Sequence, residues 1–210
     1  MYEPGLMAVG LLLVGAGTLL GWWGLETDTS NIPYRASQGV EFGPWLATEW
    51  TFIILPGAIL RRAVTMPWWE FVGAHPEFAG YSTIAILLSS LYLAAAGLTL
   101  YALVRRRAPG PRRNGWPTLA QAVALIAVIA AFVIATLGLP AVAEASSFLG
   151  SSGRVQWGPR AGWFVALVAP LFLGASTVYG WRTDRRLKGL CWKCHRPVPA
   201  DPCEYCGMAQ

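Results

Sequence analysis

The chain has 210 residues, of which 55% are hydrophobic and 13% charged, and its mean hydropathy is +0.45. Soluble domains carry about 25% charged residues, so this composition excludes an ordinary soluble protein and indicates a membrane protein. The 16 basic and 11 acidic residues give a net charge of +5, and none of them lies in the four long apolar stretches of the chain. These stretches are residues 6–24, 81–104, 117–140 and 161–181.

Each stretch is long enough for a transmembrane helix, because about 20 apolar residues cross roughly 30 Å of hydrocarbon. The sequence therefore predicts an all-α integral membrane protein with four transmembrane helices. The predicted domains are a transmembrane region over residues 1–181, a basic linker over 182–190 and a C-terminal metal-binding segment over 191–210.

A cleaved signal peptide is the alternative for the first stretch. Its start, Met1-Tyr-Glu-Pro-Gly, lacks the basic residues that precede the apolar part of such peptides, so a retained span is favoured. Gly17 and Gly21 form a GxxxG pair in this stretch, which predicts close packing against another helix.

The segment 25–80 is too long for a simple connector, since loops beyond about 12–15 residues usually have a function. Its part 45–72 is apolar and aromatic, and the run Thr51–Leu60 is interrupted by Pro56-Gly57. We expect an interfacial helix or a short re-entrant segment there. Its aromatic residues form either a membrane-interface belt or a docking surface for a partner subunit. The candidate docking residues are Trp45, Trp50, Trp68, Trp69 and Phe71.

The predicted spans contain no ionisable residue, and such residues usually mark proton relays and ion paths. A transporter would depend on hydroxyls such as Ser89 and Ser90. In the outer loop, His75 with Glu70 and Glu77 is a conceivable acid–base or metal cluster, although a solvated surface is the more ordinary interpretation. The chain has no GxSxG, P-loop, HExxH or dinucleotide-binding motif, so we predict that it is not an enzyme.

The arginines predict the orientation of the protein. The loop between the second and third stretches has five arginines and no acid, and the tail from Arg182 has six basic residues against three acids. Because basic residues are enriched on the cytoplasmic side, we expect both termini in the cytoplasm of a multi-pass protein of the cell membrane. The loops 25–80 and 141–160 are then extracytoplasmic. This asymmetry also accounts for the positive net charge, so nucleic-acid binding is not predicted.

The four cysteines lie in the last twenty residues, as the pairs Cys191-Trp-Lys-Cys194 and Cys203-Glu-Tyr-Cys206. Two CxxC pairs supply the four thiolates of a tetrahedral zinc site. The proline-rich spacer between them favours a turn, and a segment this small depends on the metal for its folding energy.

The segment 191–207 resembles the short double-knuckle zinc ribbon found at the termini of many prokaryotic membrane and regulatory proteins. The matching residues are Cys191, Cys194, the run 197–201, Cys203, Cys206 and Gly207. In that family a glycine usually follows each knuckle, whereas here His195 follows the first. The resemblance implies a structural zinc clip or a protein-contact module and implies no activity.

Three alternatives for the cysteines stay open. Cys191 to His195 also matches CxxCH, the attachment motif of c-type haem, but that attachment occurs outside the cytoplasm. Disulfides are disfavoured in a reducing compartment. Four thiolates also suit iron, although zinc is favoured in so small a segment.

These features predict a non-catalytic accessory or scaffolding subunit of a larger membrane protein complex. Its predicted partners are other membrane subunits and lipid, with no nucleic acid and no identified small-molecule substrate. One alternative is an electron-transfer subunit that carries haem c or iron on its tail. A second alternative is a small transporter or channel.

Overall fold

The structure, a computed structural model, describes residues 2–29, 35–107, 115–145, 147–187 and 190. The cysteine-containing segment 191–210 lies outside the described residues. The α-helices are α1 (Tyr2–Leu19), α2 (Trp68–Ala74), α3 (Ala79–Arg107), α4 (Trp116–Val142) and α5 (Ala161–Leu187), and a 3-10 turn covers Pro76–Phe78. The strands are β1 (Trp23–Asp28), β2 (Arg35–Phe42), β3 (Leu46–Leu55), β4 (Ala58–Pro67), β5 (Gly150–Ser152) and β6 (Val155–Pro159).

Four helices form an antiparallel bundle in which each packs on two neighbours, in the cyclic order α1, α3, α4, α5. Alanines are common on the faces that meet, because a small side chain lets two helix backbones approach closely. The buried alanines of the bundle are Ala85, Ala95, Ala102, Ala120, Ala124, Ala127, Ala131, Ala135, Ala166 and Ala169. Leucines point outwards instead: Leu12, Leu93, Leu137 and Leu171 are 60–73% exposed. Helices that are apolar on both their inner and outer faces suit a bilayer.

Three helices of the described residues, α3, α4 and α5, are long and apolar enough to cross a membrane. The prediction of four transmembrane helices is therefore wrong, because the first predicted span corresponds to α1, which is shorter than these three helices. Its 18 residues extend about 27 Å at 1.5 Å per residue, against roughly 30 Å of hydrocarbon.

The first helix ends early because the backbone after it pairs with distant strands. The amide of Trp22 donates to the carbonyl of Phe42 at 2.7 Å, and the carbonyl of Trp22 accepts from Arg160 at 2.8 Å. The Gly21 carbonyl accepts from Gly162 at 2.8 Å. Residues 20–24 are apolar, so they extend the hydropathy signal, but they leave the helix and lead into β1.

The six strands form one antiparallel sheet in the order β4–β3–β2–β1–β6–β5. Strands β2 to β4 and most of β1 come from segment 25–80, and β5 and β6 come from segment 141–160, so the two predicted outer loops meet in one sheet. Leu25, for example, pairs with Val40 of β2 and with Trp157 of β6. The prediction of an all-α protein is therefore wrong.

The segment 45–72 is mainly a β-hairpin followed by the short helix α2. Leu55 pairs with Ala58 across the two-residue turn Pro56-Gly57, and the pairing continues to Leu46 and Pro67. Gly57 has φ +84°, as the second central residue of a type II turn requires. The expectation of a helix over Thr51–Leu60 is wrong, because β-branched residues on both sides of a Pro-Gly turn favour a hairpin.

The sheet is joined to one end of the bundle through a shared core. Trp22, Trp23, Phe42 and Phe71 are fully buried and belong to the same apolar cluster as the inner residues of the helices. The β2–β3 connection is also held by hydrogen bonds from α3. The hydroxyl of Tyr81 donates to the Gly43 carbonyl at 2.5 Å, and that of Ser89 donates to the Pro44 carbonyl at 2.6 Å. The sheet is thus a fixed extension of the bundle.

Candidate functional site

The five aromatic residues predicted as docking residues differ in their exposure. Phe71 is fully buried between Phe42, Phe78 and Tyr81, so it belongs to the core of the protein. Trp69 is 52% exposed and makes an edge contact with Trp68 at 5.5 Å.

The other three predicted residues, Trp45, Trp50 and Trp68, are half-buried. The indole of Trp50 lies over Gly39 of the neighbouring strand, where a Cβ atom would be 2.7 Å from Trp50 Cζ2. This ring therefore covers a glycine of its own sheet. Of the predicted set, Trp69 alone offers a large exposed surface to a partner.

The two glycines predicted to pack helices lie in different environments. Gly17 is in α1, and a Cβ atom there would be 3.6 Å from the ring of Tyr92 in α3, an ordinary contact distance. Gly21 lies beyond the end of α1, and a Cβ atom there would be 2.6 Å from a carboxylate oxygen of Glu41. The pair therefore does not form one helix face.

The tip of the β3–β4 hairpin is an exposed apolar surface, and it includes part of the run Thr51–Leu60, although none of the candidate docking residues lies in it. We call it the distal hairpin surface. It consists of Ile53, Ile54, Leu55, Ile59, Leu60, Arg61 and Arg62. Ile54 pairs with Ile59 on one face of the sheet and Ile53 with Leu60 on the other, so both faces are apolar. Ile59 is 68% and Leu60 54% exposed.

The distal hairpin surface lies at the end of the hairpin that is farther from α2. Each strand of the hairpin has ten residues, so the turn lies about 30 Å from the Leu46–Pro67 pair beside α2. A contiguous exposed apolar patch of this kind usually marks a site of interaction with a protein or a membrane.

A cleft of about 210 Å³ opens on the sheet beside this surface. Its lining consists of Glu26, Asp28, Arg35, Ala36, Ser37, Phe52, Ile54, Arg154 and Gln156. Because two basic and two acidic side chains line it, the cleft has no net charge with which to select an anion or a cation. Like the distal hairpin surface, the cleft has both apolar and charged side chains, and it lies nearer the centre of the sheet.

An ionic cluster closes the opposite end of the bundle and joins its four helices. Arg106 of α3 is buried, and its guanidinium lies 3.0 Å from Glu3 of α1 and 2.6 Å from Asp184 of α5. Thr118 of α4 accepts a hydrogen bond from Arg106 and donates one to Asp184 at 2.5 Å. Gly180 leaves room for this cluster, since a Cβ atom there would be 2.8 Å from the Glu3 carboxylate. These contacts are those of a structural clamp.

Polar groups are also buried inside the bundle. The Tyr92 hydroxyl, the Thr99 hydroxyl and both amide atoms of Gln121 have no hydrogen-bond partner among the described residues. Ser89, considered for a transport role, donates to the Pro44 carbonyl. These atoms provide neither a nucleophile with a neighbouring base nor a charged path.

His75 lies between two carboxylates, one of which belongs to β3. Its Nε2 contacts Glu49 of β3, and its Nδ1 is 3.1 Å from Glu77. The imidazole also stacks on Phe71, with ring centroids 4.8 Å apart. Each carboxylate contacts a different ring nitrogen, so His75 joins Glu49 of the hairpin to Glu77 in the segment before α3. Among the described residues, no group of three or more His, Cys, Asp or Glu side chains is arranged to hold a metal ion.

The predicted metal ligands Cys191, Cys194, Cys203 and Cys206 lie outside the described residues, so the zinc site stays a prediction. No protein-family model and no curated protein matches the chain.

Proposed function

We propose that this protein is a non-catalytic accessory or scaffolding subunit of a membrane protein complex, and that its sheet presents a docking surface to a protein partner. The distal hairpin surface carries the proposal. It exposes apolar side chains on both faces of a strand pair, next to a turn that lies about 30 Å along the hairpin from the Leu46–Pro67 pair, and nothing in the described chain covers them.

In this proposal the apolar helices anchor the protein in the cell membrane, and the sheet lies on the extracytoplasmic side. The arginines at the other end of the bundle support this orientation, because basic residues favour the cytoplasmic side. The zinc ribbon proposed for residues 191–207 then lies in the cytoplasm, where it acts as a second contact module.

Native co-purification from membranes in a mild detergent tests the proposal. We expect the wild-type chain to migrate in an assembly larger than itself. Replacement of the exposed residues Ile59 and Leu60 by serine is expected to release it, because it removes the apolar contact area.

Leu149→Ser is the matched control, since Leu149 is 70% exposed but lies beside β5, at the opposite edge of the sheet. This variant is expected to stay in the assembly. A wild-type protein that runs as a monomer without a partner, or that turns over a substrate alone, would contradict the proposed function.

A further inference from the structure

We propose that the free edge of β4 binds an extended acidic segment of a protein partner as a seventh strand of the sheet. The inference rests on the proposed function and specifies which part of the sheet binds and what chemistry the partner has.

The first observation is the exposure of the strand. β4 is the last strand of the sheet on its side, and its eight residues Ala58–Thr65 are all exposed. In an antiparallel ladder, alternate residues direct their N–H and C=O groups away from the neighbouring strand. This edge therefore offers a row of unpaired backbone groups over most of its length, which is the template for strand addition.

The charge of the strand selects the partner. Arg61 and Arg62 are adjacent, so their side chains lie on opposite faces of the sheet, and neither forms an ion pair with a described residue. β4 has no acidic residue, and Glu49 of β3 contacts His75. A partner strand with a carboxylate on each face would pair with both arginines, and opposite charges across a strand pair are favourable.

The apolar residues of β4 indicate which other side chains the partner strand should have. Ile59 and Leu60 also lie on opposite faces, between the turn and the two arginines. The complementary strand therefore has apolar residues against the tip of the hairpin and acidic residues against the middle of β4.

A second copy of the chain fits this edge poorly. In two β4 strands that pair antiparallel about a two-fold axis, one residue lies opposite its own copy, and near the middle of the strand this residue is Arg62 or Ala63. The arginines of the two copies would then be neighbours across the strand pair, where like charges repel. Arg61 and Arg62 thus keep identical edges apart while they attract an acidic strand.

A lipid surface also fits poorly. Insertion of the hairpin tip into a bilayer would bury the unpaired backbone groups of the β4 edge in hydrocarbon, where no water can satisfy their hydrogen bonds. A partner strand covers the same apolar side chains and satisfies those groups.

Peptide binding to the full-length protein in lipid nanodiscs tests the proposal. The probe is a fluorescein-labelled ten-residue peptide of valine and threonine with two glutamates placed opposite Arg61 and Arg62, and the control peptide has lysines at those two positions. We expect binding of the glutamate peptide alone, with slower hydrogen exchange of the β4 amides. Arg61→Glu with Arg62→Glu should weaken this binding about tenfold or more and favour the lysine peptide, whereas lysine at both positions should preserve it.

Four results would overturn the inference: equal binding of both peptides, protection at β5 instead of β4, a wild-type dimer that the glutamate substitutions alter, or protection of β4 by the nanodisc lipid alone. Unchanged tryptophan fluorescence and α3 exchange confirm that the variants are folded. A native complex that survives the double glutamate substitution would place the docking surface elsewhere and leave the scaffold function standing. A wild-type chain without any complex would remove the proposed function itself.

Discussion

Arg106 holds together the end of the bundle that is farther from the sheet. Its guanidinium lies beside the carboxylates of Glu3 and Asp184, which come from two other helices. Arg106→Met would leave these two carboxylates close together in a mostly buried site, and removal of one partner from a buried ion pair costs about 3–5 kcal/mol. We expect a loss of that size in the free energy of unfolding, measured by denaturant titration in detergent.

Arg105→Met is the matched control for this substitution. Arg105 is the preceding residue, but it is exposed, and its one interaction with the described residues is a cation–π contact with Tyr101 at 5.9 Å. Its replacement should cost about 1 kcal/mol or less. Equal losses for the two variants would show that Arg106 does not act as a clamp.

A substitution at Gln121 is expected to stabilise the protein, in contrast to the one at Arg106. Its side chain is fully buried in the bundle, and neither amide atom has a partner among the described residues. An unsatisfied buried polar group costs about 1–3 kcal/mol, so Gln121→Met, which keeps the volume, should raise the free energy of unfolding by about that amount. Thermal unfolding in detergent measures the change, and a lower melting temperature would show that the amide is hydrogen-bonded in the folded protein.

At the scale of elements, the β3–β4 hairpin depends on its turn. Gly57 has φ +84°, a conformation that strains any residue with a side chain, so Gly57→Ala should destabilise the hairpin by about 1–3 kcal/mol. Hydrogen exchange of the β3 and β4 amides should become faster. Gly73→Ala in α2 is the control, because a Cβ atom there has no neighbour within 4 Å and alanine favours a helix. Unchanged exchange in the Gly57 variant would contradict this account.

The helices were easier to predict than the strands. The apolar stretches 81–104, 117–140 and 161–181 match α3, α4 and α5, because hydropathy over twenty residues is a local signal. The hairpin had a local signal too, in the run of isoleucines around Pro56-Gly57, but its short apolar segment also suits an interfacial helix. The unpaired edge of β4 had no signal, since a strand becomes an edge only through the order of the whole sheet.

At the scale of the whole molecule, the two ends of the bundle should lie on opposite sides of the membrane. The sheet is at one end, and the Arg106 cluster is at the other. With the four native cysteines replaced by serine, Ser152→Cys, which lies in the exposed strand β5 at the other edge of the sheet, should react with a membrane-impermeant maleimide in intact cells. Arg105→Cys should react only after permeabilisation, and the reverse pattern would contradict the proposed orientation.

The metal content of the purified protein tests the proposed ribbon. We expect about one zinc per chain and no visible absorbance, since four thiolates complete a tetrahedral zinc site. Cys203→Ser should lower the zinc content, while His195→Ala, which changes no proposed ligand, should retain it. A visible absorbance band would indicate haem c or iron at this position.

The apolar helices, the asymmetry of the arginines and the paired spacing of the cysteines can be recognised without a structure, because each is a property of neighbouring residues. The tertiary structure decided where α1 ends, that the two outer loops form one sheet, and which strand has a free edge. These features depend on hydrogen bonds between residues far apart in the chain, such as Leu25 and Trp157, and such pairing leaves no periodicity in either segment alone. The fold also determines that Phe71 is buried in the core and that the tip of the hairpin is exposed.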